Sequence, residues 1–182
     1  MELIVIRHGL TQSNMQGLLQ GQRIDDPLLP ATREQVQLLN TQLKDKNVSA
    51  LYSSHLLRAR QTAEVLSASL DLPVRVTQKL AERDFGSLSG LTWEDAMLQV
   101  NDYTLKEKDK QFQFDYRPYG GESIYSVRKR LKNLLQECAA LYQEKTIAWV
   151  THGGIIRLLY DELEQKQPDH VSNTSLHVFE YT

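Results

Sequence analysis

The chain has 182 residues, 41% of them hydrophobic, with 21 Lys and Arg against 23 Asp and Glu for a net charge of −2. That length suits one domain with a true core. The near-balanced charge excludes a global field able to steer nucleic acid or an anionic membrane, so any anion site must be a local basic cluster. No apolar run is long enough to span a bilayer, so neither nucleic acid nor a membrane is expected as a partner.

The N-terminus, Met1-Glu2-Leu3-Ile4-Val5-Ile6-Arg7, has no basic n-region and enters a strand-like run at once, so no signal peptide is expected there. Leu3-Ile4-Val5-Ile6 is short and continuously apolar, as a strand buried on both faces requires. Thr32 with Gln35 reads as a capping box opening a helix whose buried face continues through Val36, Leu39 and Leu43. Ala50-Leu51-Tyr52 predicts a second strand. Ser54 then reads as the N-cap of a helix that turns Ala59, Ala63, Leu66 and Leu70 inward. Val74-Arg75-Val76 predicts a third strand.

Residues 101–119 break the pattern, mixing Lys106, Lys108 and Lys110 with Phe112, Phe114, Tyr116 and Tyr119. Two readings stand: a charged helix and loop whose rings pack onto the core, or a lid whose rings cover a binding site. From about Glu122, the spacing of Ile124, Val127, Leu131, Leu134, Cys138 and Leu141 predicts a long amphipathic helix. Cys138, the single cysteine, lies on that stripe and reads as a buried structural thiol. With no disulfide to form, the chain is expected in the cytoplasm. Thr146–Val150 and Ser175–Tyr181 complete the strands. Repeated β-then-α alternation predicts an α/β fold in three layers, α/β/α, with a mainly parallel sheet, in one domain over residues 1–182.

Two segments share a form that matters for chemistry. Leu3–Ile6 runs into Arg7-His8-Gly9, and Ile147–Val150 runs into Thr151-His152-Gly153-Gly154. Each places a histidine at the carboxyl end of a buried strand, the edge at which open α/β sheets bind ligands. Gly9 and Gly153 let the backbone turn and approach a ligand closely. His55, His170 and His177 lack that context and read as structural or surface residues. Arg7 and Arg58 offer planar forks suited to phosphate oxygens, and Arg58 opens a helix whose N-terminus favours an anion. Glu82, in Leu80-Ala81-Glu82-Arg83-Asp84-Phe85-Gly86, is a carboxylate able to protonate a leaving oxygen.

Five strings in this order resemble the histidine phosphatase superfamily, in its phosphoglycerate mutase-like branch. They are Arg7-His8-Gly9-Leu10-Thr11 with Asn14, Ser53–Ala63, Leu80-Ala81-Glu82 before Phe85-Gly86, Gly120-Gly121-Glu122-Ser123, and Val150–Gly154. The resemblance implies a phosphomonoesterase with His8 as nucleophile. It implies that Arg7, Arg58 and His152 form the phosphate pocket, that Glu82 is the proton donor, and that Thr11, Asn14, Arg83 and Gly153 contact the substrate. A small phosphorylated metabolite is the expected partner, with no cofactor and no metal. Leu10, Leu29 and Thr32 depart from the family's usual residues.

A mutase sharing the same pocket is the alternative, since Arg83 is similar to a carboxylate-binding arginine of mutases. The chain nevertheless lacks the arginine pair that mutases carry after the acid motif. A non-catalytic phosphate binder would have no use for Glu82. A zinc site on His8, His152 and Glu82 would suffer repulsion from the arginines.

Overall fold

A computed structural model describes residues 1–181. Its centre is a five-stranded sheet in the order β3-β2-β4-β1-β5. Strands β1 (Glu2–Arg7), β2 (Val48–Ser54), β3 (Val74–Thr77) and β4 (Thr146–Thr151) are parallel, and β5 (Leu176–Glu180) runs antiparallel along β1 at one edge. The expected α/β architecture with a mainly parallel sheet is what the chain adopts.

The layering follows from the two-residue side-chain period of the strands. Leu3 and Val5 of β1 and Ile147 and Trp149 of β4 face one side. They meet Val127, Leu131, Leu134 and Cys138 of α6 (Ile124–Leu141) and Ile155, Ile156, Leu158 and Leu159 of α7 (Gly153–Glu162). Ile4, Ile6, Ala148 and Val150 face the other side. There they pack on Val36, Leu39 and Leu43 of α2 (Thr32–Leu43) and on Ala59, Ala63 and Leu66 of α3 (Leu57–Leu70). Every one of these side chains is at most 5% exposed, which is why the central strands read as continuous apolar runs.

Three local readings are corrected. Thr32 is the first helical residue, behind Ala31 at the N-cap, and no side-chain cap forms. Its hydroxyl reaches the Leu10 carbonyl instead. Ser54 is the last residue of β2; α3 begins at Leu57 with Leu56 at its N-cap. Leu141, the last residue of α6, is 66% exposed and leaves the buried stripe to end at Cys138. Cys138 is buried as expected.

Residues 101–119 hold a one-and-a-half-turn helix, α5 (Leu105–Lys110), and a 3₁₀ turn, Arg117–Tyr119. Phe112 joins the main core. Tyr116, with Phe114 and Tyr119 against it, joins a separate apolar cluster with Leu19, Phe85, Leu88 and Ala96 of α4 (Trp93–Val100). Phe114 and Tyr116 pack edge to face at 4.9 Å. The four rings therefore anchor the segment and do not cover the site. Of this segment, Lys106, Asp109 and Lys110 line the pocket described below.

Candidate active site

β1 and β4 are adjacent, and Arg7 pairs with Thr151 in their register. The residue after each strand is a histidine, and the His8 amide donates to the Thr151 carbonyl at 2.9 Å. The imidazoles of His8 and His152 are therefore brought together, with centroids 5.1 Å apart. α2 and α7 lie on opposite faces of the sheet, so the crevice opens at the carboxyl end of these strands.

His8 is buried, and its Nδ1 lies 2.6 Å from the Gly9 carbonyl. A carbonyl only accepts, so Nδ1 carries the proton and the Nε2 lone pair is free. Burial, then the Arg58 and Arg7 charges, push the His8 pKa well down against the pull of that carbonyl, so the ring is neutral. Burial and the same arginines act on His152 in the same direction.

Asn173 Nδ2 donates to the His8 and Gly9 carbonyls at 3.1 and 3.2 Å, and the Gly9 amide donates to Thr62 Oγ1 at 3.0 Å. These bonds fix the turn that presents His8. Ser54 Oγ accepts from the Leu56 amide at 3.3 Å and lies 2.8 Å from His152 Nε2, which sets that ring's orientation.

The arginines are held mainly by backbone carbonyls, with Asp25 3.4 Å from Arg58 Nη1. Arg7 Nη1 donates to the Val171 carbonyl at 2.5 Å, and Arg58 donates to the Ile24 and Gly21 carbonyls at 3.0 and 2.8 Å. Yet Arg7 Nε, Arg58 Nε and His152 Nδ1 are buried without a hydrogen-bond partner. Arg83 Nε and Nη1 are likewise buried without a partner. An unpaired buried donor costs about 1–3 kcal/mol, and such nitrogens on three arginines lining one cavity suit an anion.

Glu82 completes the pocket. Its two carboxylate oxygens accept from the backbone amides of Arg83 and Gly154 at 2.9 and 3.0 Å, tying the acid segment to the first turn of α7. A side chain at Gly154 would collide with Glu82 Oε1. Gly154→Ala is expected to lower kcat/KM about 10²-fold by displacing the carboxylate about 1 Å, with a cooperative melting transition retained; steady-state kinetics beside calorimetry checks it.

Arg7, His8, Arg58, Glu82, Arg83 and Gly153 line one cavity of about 460 Å³. Thr11, Asn14 and Arg83 are placed differently from one another. Thr11 and Asn14 cap each other in a box at α1 (Gln12–Met15), and neither lines the cavity. Arg83 lines it, but the guanidinium is buried and donates to Asp109 Oδ1 at 2.5 Å, ringed by Phe85, Phe112 and Tyr116.

His170, read as structural, lines the cavity at its exposed end, with Asp169 and Arg157. His177 is structural as expected, bridging Tyr160 and Ser175. Sequence reasoning missed Ser54, Thr62 and Asn173; the Ser53-Ser54 pair at a strand end was the one available signal. Among the described residues no cluster of three His, Cys, Asp or Glu is placed to hold a metal. No described helix is long and apolar enough to cross a membrane.

Comparison with known proteins agrees with this geometry. Residues 3–182 match the histidine phosphatase superfamily, branch 1. Phosphoglycerate mutase-like protein 4 of Arabidopsis thaliana is 33% identical over 182 residues, covering 98% of this chain and 78% of the relative. The metal-independent phosphoserine phosphatase of the same plant is 30% identical over 165 residues, covering 90% and 69%. A mycobacterial glucosyl-3-phosphoglycerate phosphatase, solved in complex with VO3, superposes with a TM-score of 0.82 at 28% identity, covering 97% of this chain and 91% of that one.

Proposed function

The chain belongs to the histidine phosphatase superfamily, branch 1, and we propose that it is a phosphomonoesterase that hydrolyses a small organic phosphate through a phosphohistidine on His8. The observation that carries this reading is the set of buried, unpartnered nitrogens on Arg7, Arg58 and His152 beside a neutral His8. Nε2 of His8 attacks phosphorus in line with the ester oxygen, forming the N–P bond as the P–O bond breaks. The arginine Nε–H groups and His152 hold the equatorial oxygens as charge spreads in the transition state. Glu82 gives its proton to the departing oxygen, then takes one from the water that splits the phosphohistidine.

Hydrolysis is favoured over mutase action because only lysines and the single Arg117 follow the acid motif in the region where mutases carry an arginine pair. The lone cysteine is buried and needs no oxidising compartment, which supports a cytoplasmic setting. A screen of phosphometabolites for phosphate release tests the reading, with isomerisation of phosphoglycerate followed in parallel. Phosphate release is expected, and isomerisation without release would overturn it. Since Arg7 and Arg58 supply the positive charge, the rate in excess chelator is expected to stay within about twofold of the untreated rate. Complete loss, restored by a divalent ion, would overturn this mechanism.

A further inference from the structure

We propose that Gln22, Glu122 and Arg130 are positioning residues for Glu82, holding the backbone that carries the general acid. The inference rests on the phosphatase reading, in which Glu82 protonates the leaving oxygen.

Of the five strings that mark the family, only Gly120-Gly121-Glu122-Ser123 puts no residue in the cavity. Its contacts lead to the acid segment instead. The Glu122 amide donates to the Asp84 carbonyl at 2.8 Å. A Cβ at Gly121 would collide with that same carbonyl, and one at Gly86 with the Tyr119 carbonyl, so the two segments lie backbone against backbone.

Residues 81–85 form neither helix nor strand, so no regular ladder fixes the backbone around Glu82. Side chains fix it instead. Gln22 Nε2 donates to the Glu82 carbonyl at 2.8 Å, and Arg130 Nη2 donates to the same oxygen at 3.2 Å. Two donors use both lone pairs of that carbonyl. Arg130 Nη1 donates to the Lys79 carbonyl at 2.8 Å, so one guanidinium grips the chain on both sides of Ala81. Glu122 orients both donors. Its carboxylate accepts from Arg130 Nε at 3.0 Å and Nη2 at 3.1 Å, and from Gln22 Nε2 at 3.3 Å. The Arg130 and Glu122 side chains are only 16% and 19% exposed, and the paired fork is held in one plane.

The segment that supplies Gln22 also reaches the phosphate pocket, because the Gly21 and Ile24 carbonyls hold Arg58. Acid and phosphate arginine are thus referenced to one stretch of chain. None of Gln22, Glu122 and Arg130 lines the cavity, so their effect on the rate passes through the residues that do. A shift of the Glu82 carboxyl by about 1 Å lowers the rate about 10²-fold.

The test compares kcat/KM for phenyl phosphate and 4-nitrophenyl phosphate, which share a ring but differ in their need for a proton. The variants are Arg130→Met, Glu82→Gln and the two together. Arg130→Met is expected to lower the value for the phenyl ester by about tenfold or more, and that for the nitrophenyl ester by about threefold at most. In the Glu82→Gln background it is expected to cost the phenyl ester less than about twofold more, since no acid is left to place. Gln22→Leu, on another segment, is expected to shift the ester ratio in the same direction, and it decides the matter should Arg130→Met fail to fold.

Equal losses on both esters, multiplying with Glu82→Gln, mark a merely structural role or an effect through Arg58, and overturn the positioning of Glu82. An ester ratio unchanged in both Arg130→Met and Gln22→Leu overturns it as well. Equal losses on both esters in Glu82→Gln itself remove Glu82 as the acid, and the proposal falls with that role while the phosphatase stands. Turnover of neither ester by the wild type overturns the phosphatase reading and the proposal together.

Discussion

Replacing His8 with alanine is expected to reduce turnover by about 10⁴-fold or more and to abolish phosphoenzyme labelling that is labile to acid and stable to base. Nothing else in the pocket can take its place. His152, the other imidazole, has Nε2 engaged by Ser54 and stands in the same field of arginines. The turn that carries His8 is held by backbone and by Asn173 and Thr62, so the fold survives the loss of the ring. Thermal unfolding beside trapping with a labelled ester checks both halves. Labelling of the variant at wild-type level would remove His8 as nucleophile.

The depressed pKa of His8 adds a pH signature. The native ring stays neutral below its ordinary value near 6.5, so the acid limb of kcat/KM should lie below that pH if His8 alone controls it. For stability the sign is opposite to that of a salt-bridged histidine. Above about pH 6.5 both states are neutral and the ring contributes nothing. As pH falls through that value, the unfolded chain takes a proton that the native state refuses, and the ligand-free enzyme loses stability.

Replacing Glu82 with glutamine is expected to lower kcat/KM by about 10²- to 10⁴-fold on alkyl phosphates and far less on 4-nitrophenyl phosphate, whose leaving group departs without a proton. With that activated ester, phosphorylation of His8 stays fast while water attack loses its base. The variant should therefore give a burst of nitrophenol and accumulate labelled enzyme. The amide can accept from only one of the two N–H groups that hold the carboxylate, Arg83 N and Gly154 N, so a lowered melting temperature will accompany the change. Local disturbance alone would depress both esters equally. An equal loss without a burst would remove Glu82 as the general acid.

Much of this site is legible in the sequence because strand patterning and strand-end chemistry are local. Leu3–Ile6 and Ile147–Val150 are buried on both faces, so their apolar runs announce central strands, and the residues that follow must emerge at one edge of the sheet. That much brings His8 and His152 into view, with Arg7 attached to one of them. Glycine at 154 is explained only by the fold, since it answers to Glu82, 72 residues away.

The errors share a cause. Ser54 has the local chemistry of a helix cap, and Thr32 that of a capping box, but both hydroxyls lie beside partners that local sequence does not supply, His152 and the Leu10 carbonyl. Thr11 and Asn14 cap each other at α1, and Asn14 Oδ1 also accepts from Asn173.

By itself, then, the sequence determined the α/β layering, the two histidine edges and the family to which they belong, because side-chain period and short motifs act within a few residues. Tertiary structure alone decided how each arginine is held. Arg7, Arg58 and Arg83 are equal as sequence, and folding sets Arg83 against the buried Asp109 while backbone carbonyls hold Arg7 and, with Asp25, Arg58. It also decided that Phe112, Phe114, Tyr116 and Tyr119 pack inward while Lys106 and Lys110 line the pocket. Burial of Leu105, Asp109 and Tyr116 sets the rotation of α5, and that depends on a cluster assembled from segments far apart in the chain.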